Sequence, residues 1–176
     1  MLYVAKRDEW RKWLAKNYEK EKEIWLVFYR KASGKSRVSY NDAVDEALCF
    51  GWIDSTVKKV DDESFAQRFT PRRPKSPVSE MNKVRIRRLI AAGKMTPAGL
   101  AAVGDIYVKF KVPEDILDAI KRDKQTWENF EKFPESYKTI RVAFIDGAKS
   151  RPEEFKRRLA NFLKMTKQGK KFGMVQ

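Results

Sequence analysis

The sequence predicts an α+β protein, with a small antiparallel or mixed sheet and a packed helix in the N-terminal half and a helical C-terminal half. Three observations predict this. Short apolar runs with strand-like alternation occur only before residue 71. Pro71, Pro74 and Pro77 then break the pattern into an extended connector. Beyond them the apolar spacing is helical and helix-start signals recur.

Each element has its own warrant. From about Asp8 to Lys20, Trp10, Trp13, Leu14 and Tyr18 recur at helical spacing. Ile24 to Tyr29 (IWLVFY) is a short run rich in aromatic and β-branched residues, as a buried strand requires. Residues 32–37 form a turn, and Ser39 with Asp42 starts a helix to about Phe50 that Gly51 ends. Trp52 to Lys59 and Ser64 to Thr70 read as two strands joined by the acidic turn Asp61-Asp62-Glu63, giving three strands around a helix. Alternation sets Ile53 and Val57 on one face, opposite Trp52, Asp54 and Thr56. Phe65 and Phe69 share a face, opposite Ala66, Arg68 and Thr70. If both apolar sets look into one core, Asp54 and Arg68 emerge together and can form a charge-assisted pair.

In the C-terminal half, Ser79 caps a helix ending at Gly93, and Thr96-Pro97 starts the next. Pro113, Asp123 and Pro134 mark further starts. Ser150 with Glu153 reads as a capping box before a helix carrying Phe155, Leu159, Phe162 and Leu163 on one face. The Val108 to Pro113 segment is the expected boundary between residues 1–108 and residues 109–176, which also fit one compact unit.

Composition bounds the function. The 176 residues carry a formal charge of +15, with pI about 9.9. Such an excess favours polyanions: nucleic acid, an anionic membrane surface or acidic proteins. A soluble protein with a Lys-rich surface is the plainer alternative. The absence of histidine excludes a Ser-His-Asp triad, a Cys-His dyad and a histidine-based zinc site, so no metal or cofactor is expected. One cysteine, Cys49, excludes an internal disulfide. The N-terminus has no apolar signal core and no run is long enough to span a membrane, so a cytoplasmic location is expected.

Gly34-Lys35-Ser36 mimics the end of a phosphate-binding loop, but Tyr29 stands where the first glycine belongs, and the segment reads as an ordinary turn. Cys49, at a helix C-terminus between Leu48 and Phe50, reads as a small buried hydrophobe, with a redox role as the alternative. Asp54 beside Trp52 could act as a base, but no second catalytic group accompanies it, and an Asp tying down a turn or pairing with Arg68 is the structural reading. From Arg68 to Lys94, nine Lys or Arg stand against one acid, Glu80. Guanidiniums at Arg68, Arg72 and Arg73, with Lys75, on a proline-stiffened segment suit an oxyanion clamp. Lys83, Arg85, Arg87 and Arg88 could add a positive helix face, and a solvated charge run is the common alternative. The last helix is basic too, and the Lys-rich tail after Gly169 is expected to be floppy.

The pieces ALCFGWIDS (Ala47 to Ser55), RFTPRRPKSPVSEMN (Arg68 to Asn82) and the pattern of Gly93, Met95 and Gly99 resemble the YdeI/OmpD-associated family, whose members are often labelled bacteriocin-protection proteins. The resemblance runs from about Trp10 to Gly169, with Cys49, Gly51, Trp52, Asp54, Arg68, Pro71, Arg72, Arg73, Ser76 and Asn82 at matching positions. It implies a mixed α/β then α build and a cytoplasmic protein linked to envelope stress and antimicrobial-peptide resistance, with no established reaction or cofactor. The expectation is therefore a non-enzymatic binding protein for an anionic small molecule or an acidic protein partner. Its candidate site comprises Trp52, Asp54, Arg68, Arg72, Arg73 and Asn82. Sequence-independent nucleic-acid binding through the basic helices is the alternative.

Overall fold

The computed structural model describes residues 1–74 and 76–173. By contact the chain forms two compact units: Met1–Val78 with Arg85–Ile106, and Ser79–Val84 with Tyr107–Gln176. The fold is α+β, as expected, with a four-stranded mixed sheet in the N-terminal half and helices throughout the C-terminal half.

The first unit opens with β1 (Leu2–Tyr3), α1 (Arg7–Asn17), β2 (Ile24–Tyr29) and α2 (Tyr40–Cys49), followed by β3 (Trp52–Lys59) and β4 (Ser64–Pro71). The sheet order is β1-β2-β4-β3; β1 runs parallel to β2 and the other pairs are antiparallel. Sequence reasoning found three strands and missed β1, whose two residues are too few to show alternation. Trp10 lies wholly inside, stacked on Trp13 at 5.3 Å and against Phe69 at 5.4 Å, with its indole N–H donating to the Ala43 carbonyl at 3.0 Å. Leu14, Leu26, Phe28, Leu48 and Trp52 complete the same core.

The expected assignment of strand faces is overturned. Trp52 pairs with Pro71 and Asp54 with Phe69, so Trp52 and Asp54 share the core face with Phe69, and Arg68 points to the other side. The reason is size. The indole is the larger apolar surface, and the core accommodates it against Trp13 at 6.0 Å with its N–H donating to the Tyr18 carbonyl at 3.2 Å. A register shift between Asp54 and Val57 then sets Val57 opposite Gln67, where it is exposed.

Helix α3 (Glu80–Ala91) follows the connector, with the Ser79 hydroxyl accepting from the Asn82 N–H at 3.3 Å, and α4 (Pro97–Ala101) is capped by Thr96. The second unit contains α5 (Glu114–Lys121), α6 (Lys124–Lys132), α7 (Glu135–Asp146) and α8 (Pro152–Lys167). Its core is Ile116, Ile120, Phe130, Tyr137, Val142, Ile145 and Phe162. Asp123 caps α6 through the Thr126 N–H, as its position suggested. The expected Ser150 capping box is absent: Arg151 is the cap residue, and Pro152 takes the first helical position, where a missing N–H costs nothing. The tail beyond Gly169 is packed as far as Phe172, whose N–H donates to the Tyr137 hydroxyl at 3.1 Å and whose ring lies against the second core. Among the described residues no helix is long and apolar enough to cross a membrane.

Candidate functional site

The segment CFGWIDS is first a structural joint. Gly51 ends α2 with φ +75°, and a Cβ there would meet the Ala102 Cβ at 2.7 Å. The Cys49 carbonyl accepts from both the backbone N–H and the hydroxyl of Thr96, at 3.0 and 2.7 Å. Gly99 packs against that carbonyl so closely that a Cβ would fall 2.1 Å from its oxygen. The Cys49 thiol is wholly buried, and burial pushes its pKa up, which leaves it a small hydrophobe and not a nucleophile.

The joint sets the connector beside it. The Gly51 carbonyl accepts from the Arg72 backbone N–H at 2.9 Å, so the start of β3 and the start of the connector run side by side. The six expected site residues do not all converge there. Trp52 is in the core and only 1% exposed, so it offers no open wall. Asp54 accepts a hydrogen bond from the Tyr40 hydroxyl at 2.6 Å, and burial with that bond raises the phenol pKa well above its ordinary value. Arg68, on the opposite sheet face from Asp54, is ion-paired to Glu23, so the Asp54–Arg68 pair does not form. Asn82 sits on the first turn of α3 in a segment of the second unit.

Three arginines of the basic run are neutralised in space by acids from elsewhere in the sequence: Arg68 by Glu23, and Arg85 and Arg88 by Asp45. Asp45 on α2 is 4% exposed and takes Arg85 at 2.8 Å and also Arg88. Glu46, 2% exposed, takes Arg7 and Arg11, each at 2.5 Å. Lys83 pairs with Glu80 at 2.6 Å, and Arg87 donates to the Ile106 carbonyl at 3.3 Å. On α8, Lys156, Arg157 and Arg158 pair with Glu153 or Glu154, and Lys167 pairs with Asp123. Among the described residues no three Cys, Asp or Glu side chains gather as a metal site. Lys75 lies outside the described residues.

Arg72 is the exception. Its guanidinium is half-buried and meets no carboxylate among the described residues. One terminal nitrogen donates to the Ser76 carbonyl at 3.1 Å, the Ser76 hydroxyl at 3.2 Å and the Pro77 carbonyl at 3.1 Å. Nε is buried without an acceptor, and burial lowers the pKa of the group. Arg73, next along the connector, is exposed.

Residues 2–102 match the family model described as Domain of unknown function (DUF8412), more than half of the chain. The chain belongs to the DUF8412 family. Residues 109–169 match the model described as Bacteriocin-protection, YdeI or OmpD-Associated, the family that the sequence resembles. That match covers the C-terminal helices, whereas the CFGWIDS and RFTPRRPKSP motifs fall within the DUF8412 match. No curated protein and no solved structure matches the chain.

In the YdeI/OmpD-associated segment of this DUF8412 protein, sequence reasoning missed Arg141. Its guanidinium lies over Phe172 at 4.1 Å and Phe144 at 5.1 Å, and its Nε is buried without an acceptor. Also missed were Asp45 and Glu46, although two adjacent acids at core-facing positions between Val44 and Ala47 are a readable sign of buried ion pairs.

Proposed function

We propose that this protein binds an anionic ligand at the connector, with Arg72 and Arg73 as its clamp. One observation carries the reading: Arg72 is a half-buried guanidinium that meets no carboxylate among the described residues and whose Nε has no acceptor, whereas Arg68, Arg85 and Arg88 on the same run are each held by an acid. An arginine does not shed its proton at neutral pH, so the unmet charge persists and an incoming oxyanion would relieve it. The terminal nitrogen that meets neither Ser76 nor Pro77 is the one an oxyanion would approach, in a single charge-assisted contact. Exposed Arg73 would supply a second, weaker contact. Trp52, buried next to Gly51, holds the joint, while Asp54 is taken up by Tyr40 and Arg68 by Glu23, so neither adds to the clamp.

The reading makes the protein a cytoplasmic binding protein and assigns it no reaction. The resemblance in residues 109–169 supports a link to bacteriocin resistance and envelope stress. Nucleic-acid binding through the basic helices draws less support, because most of their charges are already paired.

The experiment is a thermal-shift and calorimetric titration with inorganic phosphate, citrate and nucleoside monophosphates. The expected outcome is a rise in Tm for the wild type that Arg72→Ala abolishes and Arg73→Ala reduces. Binding left intact by both substitutions would show the clamp to be elsewhere.

A further inference from the structure

The sheet has a second face that the core does not use. Alternation along β2 sends Leu26 and Phe28 into the core and Trp25, Val27 and Tyr29 to the other side, where they belong to neither apolar core. Tyr3 on β1 joins them, 44% exposed and edge-on to Tyr29 at 5.1 Å. Trp25 and Tyr29 are partly exposed. Ala66, between Val27 and Lys58 on neighbouring strands, is the smallest side chain on this face and is wholly covered by its neighbours.

Cations attend these rings. Lys58 Nζ lies 4.0 Å from the Trp25 ring centre and Lys35 Nζ 4.3 Å from that of Tyr29. The loop that follows β2 carries Arg30, Lys31, Lys35 and Arg37 with no acid, and the Tyr3 hydroxyl holds it in place by donating to the Ser36 carbonyl at 2.5 Å. The acidic turn between β3 and β4 is countered by Lys35 on Glu63 and Lys59 on Asp62. The face therefore presents aromatic planes under a net positive charge, two of them capped by lysines that an incoming base would displace onto its own phosphates.

We infer that this face binds single-stranded nucleic acid, with bases on Trp25, Tyr29 and Tyr3 and the backbone along Lys58 and the 30–37 loop. Unpaired bases have free planes to stack and phosphates to meet the lysines, so they use both features at once. A duplex hides its base planes and could use only the charge. The surface is distinct from the Arg72 clamp and does not depend on it.

The test is fluorescence anisotropy of the full chain with labelled RNA and DNA of about 12 nucleotides, single-stranded and duplex, from about 50 to about 200 mM salt. Single strands are expected to bind more tightly than duplex, with an affinity that falls as salt rises. Tyr3→Ala and Trp25→Ala should each weaken binding about tenfold, with Trp25→Phe recovering most of the loss. Lys58→Glu should weaken binding and flatten the salt slope by about one unit. No binding at the lowest salt, equal affinity for duplex, or single-strand affinity unaltered in both Tyr3→Ala and Lys58→Glu, whose positions are exposed, would overturn the proposal.

Discussion

Asp45 and Arg88 show how burial decides what a charge is worth. Asp45 is buried and shared by two arginines, whereas the Arg88 side chain is 62% exposed and the Arg85 side chain 12% exposed. Removing the acid strands Arg85 in a half-dry site, so Asp45→Ala should cost about 3 kcal/mol in urea unfolding. Arg88→Ala leaves Asp45 still held by Arg85 and should cost less than about 1 kcal/mol. Equal losses would mean that Arg88, and not Arg85, is the partner that accounts for the acid's contribution. At the exposed end of the scale, Asp123 is held at about 2 by the Lys167 ammonium, with the Thr126 N–H and hydroxyl assisting. A folded-state pKa below the unfolded value gives stability that is complete above the unfolded pKa of about 4 and lost as pH falls toward 2. The stability gap between wild type and Asp123→Ala should therefore be widest above about pH 5 and close on acidification, measured by urea melts across that range. At this scale the sequence made the cations of the 68–94 run visible but hid their partners, because Asp45 and Glu23 approach only through tertiary folding. The same blindness made the run look free of acids, when in space Arg68, Arg85 and Arg88 each meet one.

Helix starts were legible because their signals are local. Ser39, Ser79, Thr96 and Asp123 each cap the helix their position announces. Strand faces were not, because alternation states which residues share a face and leaves open which face is buried. Trp52 decided that against Ile53, through a pocket made by α1 and Tyr18, and so sent Arg68 away from Asp54. The joint between α2 and α4 was visible only as spaced glycines; its tightness depends on a contact across about fifty residues. Gly99 is the position at which to measure that tightness. A methyl there would stand 2.1 Å from the Cys49 carbonyl oxygen and 2.7 Å from its carbon, both backbone atoms that cannot turn aside. Gly99→Ala should cost about 3 kcal/mol or more, because the α4 start must lift away from the end of α2. Gly104→Ala is the control: a Cβ there meets nothing within 4 Å and the backbone is not left-handed, so its effect should stay within about 1 kcal/mol of zero. If Gly99→Ala unfolds no earlier than the control, the α2–α4 joint is not held by close packing.

Across the whole molecule, 39 basic residues face 24 acidic ones, so one-to-one pairing of every acid would still leave a basic excess. Two opposing electrostatic terms follow. Pairs such as Lys59–Asp62, Lys124–Glu128 and Lys156–Glu153 stabilise the fold, but all are surface pairs worth between nothing and about 1 kcal/mol each, and salt weakens them. The clamps on Asp45 and Glu46 are shielded from solvent on the acid side and respond little to salt. Against these stands the self-repulsion of a net +15, which acts over the whole surface and is screened within about 10 Å at ordinary ionic strength. Because the screenable pairs are weak and the strong ones hardly screenable, relief of repulsion should win. Tm should rise as sodium chloride increases from about 20 to about 200 mM, and lowering the net charge with Lys124→Glu and Lys170→Glu should flatten that rise. Both positions are exposed, but Lys124 also gives up its pair with Glu128, so differential scanning calorimetry of the Lys170→Glu variant reads the charge term alone. A Tm that falls with salt would mean that the surface pairs, taken together, outweigh the repulsion, and the basic excess would then be a stabilising network with little charge left over for a partner.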